Sequence, residues 1–200
     1  HSVGAKSPLT GLFGESEAGG YWGSELKQAG WDGLVIEGKA ETPVYLWIKD
    51  QVVEIRDARH LWGQVTGPVE ARLREELGDT QVRVAQIGPA GENLVRYACI
   101  VNDLNEVAGR TGLGAVMGSK NLKAIAVRGS HRVEVSDTLP IKTTARWVAR
   151  ETLGEGGAHH RLHTWGTGAM VRSKQLEGHL IVRNFRDGQL DHATDIDAIT

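Results

Sequence analysis

The chain has 200 residues, 40% of them apolar, and a formal net charge of -2. That is enough apolar material for one domain of ordinary size, or one domain plus part of another. The charge balance excludes the strong basic excess of a dedicated nucleic-acid binder, so no nucleic-acid partner is expected. One cysteine, Cys99, excludes an internal disulfide framework or a four-cysteine cluster.

Glycine is the compositional outlier, with 26 residues against a usual share of roughly 7%. These glycines punctuate apolar runs, which points to tight turns and close backbone approaches. No run nears the roughly 20 apolar residues of a membrane-spanning helix, and no signal peptide is visible. A cytoplasmic location is therefore expected. His1 at the start and the abrupt end at Thr200 read as cuts through a longer chain.

In chain order, Ser24–Ala29 predicts a short helix stopped by Gly30. Leu34–Ile36, between Gly33 and Gly38, reads as a short strand. Val44–Ile48 follows Pro43 as a strand, and Val52–Ile55 reads as its hairpin partner across Lys49-Asp50-Gln51. Val69, Leu73 and Leu77 at helical spacing, with Gly78 after them, predict a helix over Thr66–Leu77. Strands are expected at Val82–Ile87, Val95–Val101 and Leu122–Val127, with Val133–Val135 pairing beside the last. Cys99 then reads as a buried small hydrophobe. Beyond this point the pattern turns helical: Asp137 caps a helix running to Thr152, Thr167–Leu176 forms another, and Thr194 caps the start of a third. The expected division is a β-rich domain over residues 1–134 and the beginning of an all-α domain over residues 135–200.

Two stretches echo each other. Gly19-Gly20-Tyr21-Trp22-Gly23-Ser24 precedes Leu34-Val35-Ile36, and Gly112-Leu113-Gly114 through Gly118-Ser119 precedes Ala124-Ile125-Ala126-Val127. Each is a glycine-rich loop, a short helix and an apolar strand. Two readings stay open. A glycine loop opening a helix presents free N–H groups at a positive dipole end, which suits anions. The alternative is a pair of turns that pack helices on strands. Neither loop carries a dinucleotide or P-loop fingerprint.

The segments Lys6–Gly11, Gly19–Gly23, Ala29–Ala40, Ile87–Val95 and Ala108–Ile125 together resemble the N-terminal domain of the aldehyde ferredoxin oxidoreductase family. The match runs, with gaps, from residue 3 to about residue 130. It implies an α+β fold in which duplicated loop–helix–strand units form a saddle under a tungsten or molybdenum bis-pyranopterin. The resemblance further implies Mg2+ bridging the pterin phosphates and a neighbouring [4Fe-4S] cluster whose ligands lie outside this segment. The implied reaction oxidises aldehydes to carboxylic acids and passes electrons to ferredoxin or another electron-transfer subunit; a homo-oligomer is a further association it allows. Some relatives reduce aromatic acyl-CoA thioesters instead, and a non-catalytic pterin carrier or assembly subunit is a further alternative.

Carried over by position, the cofactor contacts are Glu17, Gly19 and Gly20 in one loop, and Glu106, Val107, Gly109 and Arg110 in another. Arg110 offers a planar charged fork for phosphate or a pterin carbonyl. Glu17 stands where the better-known relatives have Asn, and Glu106 where they have a basic residue. A carboxylate beside a phosphate ligand is unfavourable unless it binds magnesium or points away. These departures point toward a different substrate, with the acyl-CoA branch as the alternative. Asn102-Asp103 reads either as a turn cap or as part of the cofactor site, and Trp22 as core or cofactor lining. His159, His160 and His163 lack an intervening carboxylate base and read as a solvated stretch. No catalytic acid or base is assigned.

Overall fold

A computed structural model describes residues 1–157 and 159–198. It divides into two compact units, His1–Glu134 and Val135–Thr200.

The first unit is α+β. A two-stranded antiparallel ribbon pairs β1 (Ser2–Lys6) with β2 (Phe13–Glu17). A six-stranded mixed sheet has the order β4-β3-β8-β5-β6-β7. Its strands are β3 (Val44–Lys49), β4 (Val52–Asp57), β5 (Arg83–Gln86), β6 (Ile100–Asn102), β7 (Glu106–Ala108) and β8 (Leu122–Arg128). Only β3 and β8 run parallel, and every other neighbouring pair is antiparallel. Four helices complete the unit: α1 (Trp22–Gln28), α2 (Thr66–Leu77), the single turn α3 (Pro89–Glu92) and α4 (Leu113–Ser119).

Alternation along the central strands divides the core in two. Ile48, Ala85, Ile100, Ile125 and Val127 face α1 and α4, meeting Trp22, Leu26, Leu113 and Met117. Tyr45, Trp47, Val84, Ala124 and Ala126 face α2, meeting Val69 and Leu73. Each fully buried aliphatic side chain contributes about 1.5–3 kcal/mol, so the sheet holds helices on both faces without needing long ones. The sheet also buries a charge. Lys123 sits at an irregularity in the β3–β8 register, fully buried, with its ammonium paired to Glu92 and donating to the Gln64 carbonyl at 2.9 Å.

Three strand expectations need correction. Leu34–Ile36 forms no strand: Leu34 and Ile36 pack inward and Val35 points out, but no described segment pairs with them. Val95–Cys99 is turns, and only Ile100–Asn102 of that run is strand, because Val95 and Ala98 bond locally to Ala90 and Val95 carbonyls. Cys99 is half-buried rather than buried. Val133–Val135 joins no sheet, and the nearby backbone N–H of His131 goes to Gln28 at the end of α1.

The second unit carries α5 (Thr138–Trp147), continued by a π-helical turn Val148–Thr152, then α6 (His160–Trp165) and α7 (Val171–Glu177), with short 3-10 turns at Gly166–Met170 and Ala193–Ile196. Asp137 caps α5 through Leu139 N–H, and Gly178 ends α7 in the left-handed conformation. Thr194 lies inside its 3-10 turn, where His192 is the cap. No described helix is long and apolar enough to cross a membrane.

Candidate functional site

The first glycine loop leaves β2 at Glu17 and enters α1 at Trp22, with Gly19 and Gly20 at its centre. The second predicted segment, Glu106–Arg110, is β7 and the chain just beyond it. Although some 90 residues apart in sequence, the two lie against each other. A Cβ on Gly19 would sit 2.8 Å from Glu106 Oε2. A Cβ on Gly20, whose φ is +75°, would sit 2.4 Å from Asp103 Oδ2. Asn102 Nδ2 donates to the Gly19 carbonyl at 3.1 Å, and Tyr21 N–H donates to Asp103 Oδ2 at 2.6 Å. On the far side, Ser7 Oγ donates to the Thr111 carbonyl at 2.8 Å, so the β1–β2 ribbon grips the chain after Arg110.

The polar groups exposed there divide by charge. Glu17 ends β2 on the surface, while Glu106 is half-buried against Gly19. Val107 and Gly109 are exposed, and a Cβ on Gly109 would meet only Val107, at 3.5 Å, so the backbone there stays reachable. Arg110 is exposed and makes no ion pair among the described residues. The two segments thus offer open backbone at Gly109, an uncommitted guanidinium at Arg110 and the carboxylates of Glu17 and Glu106. Such a set fits a phosphate-bearing ligand accompanied by a divalent cation, since the carboxylates alone would repel phosphate. An open hollow of about 510 Å³ is lined by Glu17, Ala18 and Gly19 with His1 and Ser2. A larger, mostly apolar cavity of about 540 Å³ lies beneath Gly19 and Gly20, between α1 and α4.

The echoed second loop does a different job. α1 and α4 do lie on one face of the sheet and line one cavity. Yet a Cβ on Gly112 would lie 2.0 Å from the Arg96 carbonyl oxygen, and one on Gly114 2.3 Å from that of Cys99. The glycines of this loop let α4 press on the 91–99 backbone, so they serve packing rather than an anion. Trp22 is core: it is buried and its Nε1 donates to Ile125 O at 2.9 Å. Among the described residues no group of His, Cys, Asp and Glu is placed to hold a metal ion by itself; His159 and His163 are exposed and His160 is half-buried.

Sequence reasoning left Asn102 and Asp103 with two readings and did not single out Arg83. The signal available was the polar pair Asn102-Asp103 ending an apolar run, but nothing in sequence said which distant backbone it would hold.

Residues 1–129 match the family model for the aldehyde ferredoxin oxidoreductase N-terminal domain. The chain belongs to the aldehyde ferredoxin oxidoreductase family. It is 47% identical over 193 residues to the tungsten-containing aldehyde ferredoxin oxidoreductase of Thermococcus kodakarensis, a match covering 96% of this chain and 32% of that protein. It is 40% identical over 183 residues to an aliphatic sulfonate oxidoreductase, WOR-like subunit, of Pyrococcus furiosus, covering 84% of this chain and 28% of that one. Among solved structures it resembles the active site complex BamBC of benzoyl coenzyme A reductase in complex with 1,5 dienoyl-CoA. The TM-score is 0.67 at 34% identity, over 88% of this chain and 24% of that one. The chain therefore spans about a third of the length of the oxidoreductase relatives it matches. In this family member the α+β fold anticipated from the resemblance is present, with the two expected contact segments adjacent.

Proposed function

We propose that residues 1–134 form the cofactor platform of a tungsten- or molybdenum-pterin oxidoreductase, and that residues 135–200 begin its helical domain. The observation carrying this reading is the contact of Gly19 and Gly20 with Asp103 and Glu106, at the start of the segment that runs on to Arg110. Two segments that the family resemblance names separately form one surface with the right chemistry for a phosphate-bearing ligand.

The bound metal–pterin group would supply two-electron redox chemistry at a substrate carbon. This chain's residues would bind and orient it. Gly109, where an added carbon would meet only Val107, leaves backbone open to close approach, while Gly19 and Gly20 make room for the Glu106 and Asp103 side chains that border the loop. Arg110 offers paired N–H donors to phosphate or pterin carbonyl oxygen, with Val107 lining the approach. Glu17 and Glu106 would help to hold Mg2+, which would offset their charge beside phosphate. A [4Fe-4S] cluster would carry electrons from the metal to ferredoxin or a comparable subunit.

The reaction we assign is oxidation of an aldehyde with water to a carboxylic acid, carried out in the cytoplasm. A second reading, reduction of an aromatic acyl-CoA, is favoured by the likeness to the benzoyl-CoA reductase complex and by the carboxylates at positions 17 and 106. The deciding experiment purifies the full-length protein from a host supplied with tungstate and compares substrates. Aldehyde-dependent reduction of ferredoxin supports the first reading. Reductive turnover of benzoyl-CoA alone replaces it with the second. Neither activity in metal-loaded protein contradicts both.

A further inference from the structure

We infer that Asp103, backed by Asn102 and Arg83, is the positioning residue that fixes the Gly19–Gly20–Tyr21 loop in its ligand-facing shape. This deepens the function proposed above and rests on it for what the loop receives.

The loop relies on distant side chains to hold it. The Gly19 carbonyl accepts from Asn102 Nδ2 and the Tyr21 N–H donates to Asp103 Oδ2, partners 83 and 82 residues away in sequence. Both come from the end of β6 and the turn into β7. That turn has unusual backbone: Asp103 and Leu104 carry φ values of +49° and +64°. Asp tolerates the left-handed region better than most residues. There its carboxylate turns back to the first glycine loop.

Both carboxylate oxygens of Asp103 are committed. Asp103 Oδ2 accepts from Tyr21 N–H and, at 3.0 Å, from Asn102 Nδ2, while Oδ1 faces Arg83 Nη1 at 3.2 Å. The Arg83 guanidinium also stacks over the Tyr21 ring at 4.7 Å, so it holds both the clamp and the clamped residue. Asn102 is completely buried, and its amide orientation follows from its neighbours. Gly19 O and Asp103 Oδ2 are both acceptors, so Nδ2 must face them. That leaves Oδ1 buried with no partner among the described residues. An amide that served only as a turn cap has no reason to bear that penalty; one that must present its NH2 to two acceptors does. Gly20 completes the fit, since a Cβ there would collide with both Asp103 Oδ2 and Asn102 Nδ2, at 2.4 and 2.7 Å.

The test compares wild type, Asp103→Ala and Asp103→Asn in the full-length protein from a tungstate-supplied host, reading amide hydrogen exchange and tungsten content. Asp103→Ala should speed exchange at Tyr21 about tenfold or more, the loss of one charge-assisted hydrogen bond, while amides of β8 keep their protection. Its tungsten content should fall on the order of tenfold. Asp103→Asn retains one carbonyl oxygen for Tyr21 and Asn102 but turns its NH2 toward the Arg83 guanidinium, another donor, so it should keep part of the protection and of the metal that Asp103→Ala loses. Unchanged Tyr21 exchange in Asp103→Ala overturns the clamp. A loosened loop with full tungsten, or Asp103→Asn behaving like Asp103→Ala, overturns its role in cofactor placement. Wild type with neither tungsten nor molybdenum overturns the cofactor reading itself and, with it, that placement role, while the exchange comparison still decides the clamp.

Discussion

The Gly118 backbone lies directly against the carbonyl oxygen of Gly91: a Cβ built on Gly118 would sit 1.9 Å from it. This contact, together with those at Gly112 and Gly114, is what brings α4 onto α3 and the 91–99 turn. A substitution here meets backbone, which moves only with its whole element. Gly118→Ala should therefore destabilise the fold by about 3 kcal/mol or more, beyond the usual cost of overpacking. Gly33→Ala, with nothing within 4 Å of the new carbon, should stay within about 0.5 kcal/mol of wild type. Urea denaturation of the two variants checks the contrast.

Lys123 and Glu92 make a second stringent case, with side chains 0% and 3% exposed. Removing one partner strands a buried charge. Lys123→Met should cost roughly 3–5 kcal/mol, and the double change Lys123→Met with Glu92→Gln should recover part of it. A double-mutant cycle by chemical denaturation measures the coupling; purely additive losses would contradict the pairing.

Glu70, on the α2 side of the sheet, gives a pH prediction. Burial pushes its carboxyl above the usual carboxylate range, and the Arg74 guanidinium at 2.6 Å only partly opposes this. A folded-state pKa above the unfolded one means the folded chain holds the proton more tightly. That stability is fully present below the unfolded pKa and is lost as pH rises through the folded one. Relative to wild type, Glu70→Gln should thus gain stability as pH is raised from about 4 toward neutrality. Denaturation midpoints across that range check the sign, and a gap that narrows with rising pH contradicts it.

How much of this was legible in sequence follows from where the information sits. The α2 boundaries, Thr66–Leu77, followed from Val69, Leu73 and Leu77 and the stop at Gly78, because helix periodicity and capping are local. The hairpin β3–β4 and strand β8 were legible for the same reason. β1, β2 and β7 were not: Ser-Val-Gly-Ala-Lys, Phe-Gly-Glu-Ser-Glu and Glu-Val-Ala have weak strand preference and exist by pairing with partners. Leu34–Ile36 shows the converse, a good strand pattern with no described partner. At the site, the glycines of both loops looked alike in sequence. Only the third dimension shows Gly19 and Gly20 under the Asn102–Asp103–Glu106 side chains, and Gly112, Gly114 and Gly118 against backbone.

Arg110 separates binding from folding. It is exposed and forms no ion pair among the described residues, so Arg110→Ala should leave stability within about 0.5 kcal/mol. Losing a charge-assisted contact to the cofactor should lower metal retention about tenfold, and Arg110→Lys should restore only part of it, lacking the planar fork. Metal content alongside thermal unfolding distinguishes the two effects; equal retention in all three proteins would remove Arg110 from the site.

The most direct test of the central claim is metal and pterin analysis of the full-length protein, produced in a tungstate- and molybdate-supplied host that loads a known relative alongside it. The purified protein should contain tungsten or molybdenum together with pyranopterin. Neither metal and no pterin, in the same host that fills the relative, would contradict the claim.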